Sequence, residues 1–369
     1  TLGTHTMFNN MVNMGFYYGA LIENINSAGG ALMAGKLWLS RTYPSNPNQY
    51  VDTFTHWNSL MGDASLQMWT AYPEMLNVSH DYSIMKGTNF IDFNITESGS
   101  NPVEGAWVTI YKEGVLLESK YSNGNGFARL NVQTSQLGEV LVTVTKKNHY
   151  PYKSSFQIYE NGPSVNVVTD NIIINDSGSG NSLGNGNGAI NPGETIELSI
   201  SVSNFGTELA SGITGVLTSD NSNISIVNNS FSYGDLSAGD AVNNISSPFV
   251  FTVANDVHDD AEIHLLLNFN NDSDYNSTGF IELFFSGKDL NAYGVDVPGN
   301  SQDVLTAGQT FTVHIELSNS GNVLAENIIG EITSASSAIE IIDNYGSWSA
   351  VYPDAISSTS SSGNAFVIS

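Results

Sequence analysis

The chain has 369 residues, 36 acidic against 10 basic side chains and no cysteine, giving a formal net charge of −26 at pH 7. Its length argues for roughly two to four domains, and 40% hydrophobic residues are enough to build their cores. The charge excludes electrostatic attraction to nucleic acid or to an anionic membrane. The missing cysteine excludes disulfides, thiolate zinc sites and a thiol nucleophile within this chain.

From the N-terminus, Met7, Phe8, Met11, Val12 and Phe16 recur near the helical period, and so do Ala28, Ala31, Leu32, Gly35, Trp38 and Leu39. Gly29-Gly30 punctuates the two predicted helices, and Pro44 and Pro47 end the second. All eight Met lie between Met7 and Met85, with three of the five Trp. Strand patterns follow at 90–95, 107–111 and 140–144, separated by turn clusters such as Asn123-Gly124-Asn125-Gly126. From about Pro73 onward the chain reads as consecutive β-sandwiches. No run of apolar residues is long enough to predict a membrane-spanning helix. The start at Thr1, with neither Met nor a signal peptide, is read as a processed or partial product.

The tail differs from the head. From Ser154 to Ser369 there are 25 Asp and Glu and a single basic residue, Lys288. It also repeats. Gly193, Thr195, Ser203, Asn204, Gly206, Leu209, Ala210, Ile213 and Gly215 recur as Gly308, Thr310, Ser318, Asn319, Gly321, Leu324, Ala325, Ile328 and Gly330, at a constant offset of 115. That offset is one sandwich domain. The first copy ends with strand patterns at 263–269 and 280–285 that the second lacks, so the second copy is expected to be truncated.

Three patterns carry possible chemistry. Gly30-Ala31-Leu32-Met33-Ala34-Gly35-Lys36-Leu37 approaches a phosphate-binding loop, but Leu37 stands where Ser or Thr would hold magnesium, and the residues read as a packed helix. His258 and His264, beside Asp256, Asp259, Asp260 and Glu262, read as a solvated acidic loop leading into a strand, with a metal cluster as the competing reading. No Gly-x-Ser-x-Gly elbow marks a nucleophile, and none of the seven His forms a close metal pair. The third pattern, from Asp176 to Glu194, is the ligand candidate. Asp176, Asn185, Asn187 and Glu194 alternate with glycines that let backbone carbonyls turn inward, and calcium needs six to eight such oxygens. A Gly/Asn turn is the alternative there. In the second copy Gln309 replaces Glu194, and Asn300-Ser301-Gln302-Asp303 replaces the glycine run, so calcium is expected in the first copy only. The eight Asn-x-Ser/Thr sequons are what so Asn-rich a chain gives by chance.

Thr4-His5-Thr6-Met7-Phe8-Asn9-Asn10, Gly35-Lys36, and Trp57-Asn58-Ser59-Leu60-Met61-Gly62-Asp63-Ala64-Ser65-Leu66 together resemble the C-terminal end of the catalytic domain in the gingipain family of cysteine peptidases. In that family a Trp-Asn-x-Leu-x-Gly-Asp-Pro-Ser-Leu segment closes a caspase-like α/β domain; Ala64 stands at the Pro position. The segment 102–111 with Gly124-Asn125-Gly126 is similar to the Ig-like domain that follows, and 187–194 resembles a bacterial Ig-like repeat. The family's catalytic His and Cys belong upstream of this region, so His5 is not assigned as a base and no catalytic residue is named.

The resulting expectation is a mainly β chain in which the end of a caspase-like α/β domain precedes tandem Ig-like β-sandwiches, the last truncated. The expected divisions are 1–75 for the catalytic-domain end, 76–162 for an Ig-like sandwich, 163–287 for the first bacterial repeat and 288–369 for the incomplete second. The resemblance implies a secreted or surface cysteine endopeptidase exported by a type IX route, with its polypeptide substrate held by an upstream half and this segment inactive alone. The competing reading is a non-catalytic, calcium-stiffened surface adhesin or filament component. A carbohydrate-binding module would rest on scattered Tyr and Trp, which read as core.

Overall fold

The computed structural model describes residues 5–132, 136–255, 257, 259–299, 305–362 and 364–369. It is 47% strand and 13% helix. The described residues form two compact units, the first from the head through residue 84 with 90–132 and 137–158, the second from 85–89 and 159–369.

The head holds three helices: α1 (Thr6–Leu21), α2 (Ala28–Thr42) and α3 (Tyr50–Trp57). The first two lie where periodicity predicts them. Glycines let them cross with backbones touching: a Cβ on Gly15 would sit 2.7 Å from Trp38 Cβ, and one on Gly35 would strike the Val12 carbonyl. The third helix is absent from the sequence expectation. Its entry runs through left-handed Asn46, Asn48 and Gln49, and Asn46 Oδ1 then accepts from Val51 N at 3.0 Å. Phe8, Val12, Leu39, Val51 and Phe54 form the small core beneath the helices.

The same unit contains the first sandwich. One sheet orders Ser83–Met85, Tyr152–Tyr159, Gly138–Thr145, Trp107–Lys112 and Val115–Tyr121; the other orders Asn77–Ser79, Phe90–Thr96 and Phe127–Asn131. Strict alternation buries Ile91, Phe93 and Ile95 from one sheet against Val108, Ile110, Val140, Val142 and Val144 from the other.

In the second unit, Val165–Asn175, Thr195–Asn204, Phe249–Val253 and Ile224–Asn228 form one sheet of the first repeat. Ser230–Leu236, Ala210–Thr218, Glu262–Asn270 and Asn276–Phe284 form the other. The second repeat rebuilds the first sheet from Leu290–Asp296, Phe311–Asn319, Phe366–Ile368 and Ile341–Asp343, and pairs Ala325–Glu331 with Tyr345–Val351. Within 288–369 the described strands include no counterpart of Glu262–Asn270 or Asn276–Phe284.

The repeat runs deeper than the sequence match. Tyr233 and Trp348 occupy one position: the Tyr233 hydroxyl donates to Ile200 O at 3.4 Å and Trp348 Nε1 donates to Ile315 O at 3.0 Å. Burial pushes the Tyr233 phenol pKa well above its ordinary value. Gly215 and Gly330 make room for these rings, since a Cβ on either would lie 2.8 Å from the aromatic facing it. Asn244 Oδ1 accepts from Ile200 N at 2.6 Å, and Thr359 Oγ1 accepts from Ile315 N at 3.1 Å.

Candidate functional site

Segment 57–69 closes the N-terminus of α2. Ala28 N donates to Leu66 O at 3.0 Å, Gly29 N to Ala64 O at 2.9 Å, and Gly30 N to the Ser27 hydroxyl at 3.2 Å. The first free N–H groups of the helix are thereby used. A nucleotide loop at 30–37 would turn its own N–H groups toward a phosphate, whereas 30–37 lies within α2. The turn itself is pinned by Asp63 Oδ1, which accepts from the Ser65 hydroxyl at 2.7 Å and from Ser65 N at 2.8 Å. Those two bonds, the hydroxyl's first, hold the Asp63 carboxyl below its ordinary pKa. His5 lies at the start of α1 with its ring centroid 4.1 Å from that of Tyr50.

The outer side of α1 and α2 is apolar and uncovered. Met7, Met14, Tyr17 and Leu21 are exposed on α1, and Met33 and Leu37 are 56% and 48% exposed on α2. A concavity of about 730 Å³ is lined there by Ile25, Met33, Leu37 and Trp38. Exposed apolar side chains grouped in this way mark an interaction surface.

The loop from Asp176 to Glu194 brings all four predicted ligands together, around a residue outside the predicted set, Asn191. Asn185 Nδ2 and Asn187 Nδ2 donate to Asn191 Oδ1 at 2.8 and 3.0 Å, and Asn191 Nδ2 donates to Ser286 O at 2.7 Å. The buried Asp176 carboxylate accepts from Asn187 N at 2.9 Å and Gly188 N at 3.2 Å. Buried Glu194 accepts from Asn185 N at 3.0 Å and Asn191 N at 3.1 Å. Both carboxylates thus fold the loop by charge-assisted hydrogen bonds, and Asn185 Oδ1 and Asn187 Oδ1 accept from Asn187 N and Ala189 N. Asn300, Ser301, Gln302 and Asp303 of the second copy lie outside the described residues, as do Asp256 and His258.

His264 sits elsewhere than its sequence neighbours imply. It lies on strand Glu262–Asn270, two residues from Glu262 and so on the same face, and pairs directly opposite Glu282. Its Nε2 is 2.9 Å from Glu262 Oε2 and 3.6 Å from Glu282 Oε1, and the three ligand atoms lie within 4.8 Å of one another. One imidazole and two carboxylates are a donor set for a borderline divalent cation. Glu282 escapes the sequence reading because only strand register places it there. Asp259 instead accepts from Gly287 N at 2.5 Å.

No protein-family model matches the sequence, and no curated protein matches it. Among solved structures the chain is similar to the Arg-specific cysteine proteinase gingipain R, at 17% identity and a TM-score of 0.33, over 40% of this chain and 33% of that one. It is similar to the complex of pro- and mature domains of RgpB from Porphyromonas gingivalis at 18% identity and a TM-score of 0.29, over 36% and 30% of the two chains. The chain therefore spans about a third of the gingipain R structure. A calcium-stabilised adhesin with which an Antarctic bacterium binds ice matches at 16% identity and a TM-score of 0.19, over 79% of this chain and 66% of that one. Among the described residues, no helix is long and apolar enough to cross a membrane.

Proposed function

We propose that the chain is the C-terminal part of a secreted or surface cysteine endopeptidase of gingipain type. Helices α1 and α2 would close its catalytic domain, and the β-sandwiches would act as stalk or docking domains. The observation that carries this reading is the uncovered apolar face of α1 and α2. Its exposed Met, Tyr and Leu side chains need another layer to exclude water, and a sheet is the element that helices of an α/β domain cover. The Asp63 turn adds support, because the residues that carry the family resemblance are those that finish the helical layer. In such a parent an upstream thiolate attacks the peptide carbonyl while a His moves the proton.

The test is to read the gene upstream of Thr1 and express the longer protein. Peptidase activity abolished by thiol alkylation, together with protection of Met33 from peroxide, is the expected result. A longer protein with no such activity, or one in which Met33 oxidises as readily as in residues 1–369, overturns the reading.

A second reading, a non-catalytic surface adhesin or filament segment, is favoured by the tandem repeat with its duplicated buried contacts at Ile200 and Ile315. In it the loop at Asp176, Asn185, Asn187 and Glu194 would hold calcium and stiffen the first repeat.

A further inference from the structure

The first unit carries a cleft of about 510 Å³ on the outer face of its larger sheet. Its floor is an aromatic shelf. Trp107 and Tyr121 face each other across adjacent strands, with ring centroids 4.2 Å apart and planes at 55°. They are 37% and 64% exposed, so neither is core. Trp69, from the segment that follows the Asp63 turn, is also exposed and lines the cleft.

The rim is basic. Lys146 and Lys147 follow the strand that pairs with Trp107 through Thr145. Lys146 Nζ donates to the Glu104 carbonyl at 2.5 Å, and Lys147 Nζ donates to Asn26 Oδ1 at 2.5 Å. Among the described residues neither ammonium group pairs with a carboxylate, in a chain with 36 acidic and 10 basic residues. His149, farther along, is already matched by Glu97 at 3.0 Å. Both lysines are thus positioned by neutral oxygens and keep donors and charge for something else. The Gln67 amide and the Thr145 hydroxyl complete a polar edge around the shelf.

We propose that this cleft binds a short acidic saccharide, with a sugar ring lying on Trp107 beside Tyr121 and its carboxylate on Lys146 and Lys147. A sugar ring has an apolar C–H face for the aromatic shelf and hydroxyls for the Gln67 and Thr145 edge. Its carboxylate supplies the charge the two lysines lack. A long polyanion is disfavoured, because two lysines are set in a chain whose net charge is −26. An acidic peptide would satisfy the lysines and leave the shelf unmatched.

The test titrates the full chain with trigalacturonate, following tryptophan fluorescence and heat. Binding is expected to weaken by about tenfold in Lys146→Gln/Lys147→Gln and by at least about tenfold in Trp107→Ala. It is also expected to weaken as salt is raised. Tyr111→Ala, on the same strand outside the cleft, is expected to bind as the unaltered chain does, and melting curves check that each variant is folded. Maltotriose, with no carboxylate, is expected to bind at least about tenfold more weakly. Absence of trigalacturonate binding overturns the proposal. So does equal binding of maltotriose, equal binding of a tetraglutamate peptide, or unchanged affinity in the folded lysine or tryptophan variants.

Discussion

Asn204 and Asn319, 115 residues apart, make the same four hydrogen bonds at the same corner of two successive sandwiches. Asn204 Nδ2 donates to Glu208 O at 2.7 Å and Leu236 O at 2.9 Å, while Oδ1 accepts from Ser164 N and Gly206 N, each at 3.0 Å. Asn319 Nδ2 donates to Val323 O at 2.8 Å and Val351 O at 3.0 Å, while Oδ1 accepts from Asp289 N at 3.2 Å and Gly321 N at 3.1 Å. They are 0% and 1% exposed. Each amide is saturated, so the residue is an internal clamp joining a strand end, a turn and the entry segment of its own repeat.

The clamp sets the first prediction. Asn204→Ala leaves backbone donors and acceptors buried without partners, which costs about 1–3 kcal/mol for each group not rescued by water. Urea denaturation of the full chain is expected to show the first repeat losing roughly 3 kcal/mol, with Asn319→Ala acting likewise on the second. Asn204→Asp is expected to be no better than Ala, because it removes the donor and buries a charge. Loss below about 0.5 kcal/mol in both Ala variants would mean that water replaces the amide without cost.

A second prediction concerns the apolar head. Phe8, Val12, Leu39, Val51 and Phe54 are a small core for three helices. Residues 5–69 are therefore expected to unfold before the sandwiches, seen as an early step in Trp fluorescence and fast amide exchange in α1 and α2. Met33→Glu/Leu37→Glu is expected to reduce binding of a hydrophobic dye while leaving the sandwich transition in place. A single cooperative transition that includes the head would contradict this.

The Asp63 turn gives a third, pH-dependent outcome. Its carboxyl, held by Ser65, is depressed below the ordinary value of about 3.9. A depressed folded pKa contributes stability that is present above the unfolded value and is lost as pH falls through the folded one. Carboxyl NMR titration is expected to place the Asp63 midpoint below that ordinary value, and Ser65→Ala to move it back up. Because the group is fully exposed, the accompanying change in helix stability is small and confined to acid. An unchanged midpoint in Ser65→Ala would remove the hydroxyl as the cause.

What the sequence disclosed, and what it hid, follows from how local each signal is. Helices α1 and α2 and the strands at Phe90, Trp107 and Val140 were legible because alternation or helical period is written within a few residues. Helix α3 was not, since eight residues behind a run of Asn, Pro and Gln carry too little period. The repeat was visible only where residues are identical. Beyond Gly215 identities thin out and the repeat persists in shared contacts, Tyr233 becoming Trp348 and Asn244 becoming Thr359 around the same two isoleucines. Glu282 joins His264 only through strand register, and Asn191 becomes the hub of the glycine-rich loop only once that loop is closed. The aromatics divide in a way composition cannot show: Trp348 is core, while Trp107 and Tyr121 are not.

The last prediction decides what that loop is for. Asp176 and Glu194 are buried and already accept backbone N–H groups from Asn185, Asn187, Gly188 and Asn191. If calcium also binds, it stabilises the folded loop by linkage, by roughly 2.7 kcal/mol at a hundredfold excess over its dissociation constant. Under the calcium proposal, the first-repeat transition of the full chain rises in calcium and falls back in chelator. Glu194→Gln would abolish that response, because it removes a carboxylate and keeps only one of the two oxygens that accept from Asn185 N and Asn191 N. Under the hydrogen-bonded alternative, chelator leaves the midpoint unchanged. Glu194→Gln then lowers it equally with and without calcium, since a neutral acceptor replaces one charged oxygen and an NH2 donor replaces the other. That second pattern would take calcium out of the adhesin reading and leave Asn191 as the organiser of a turn.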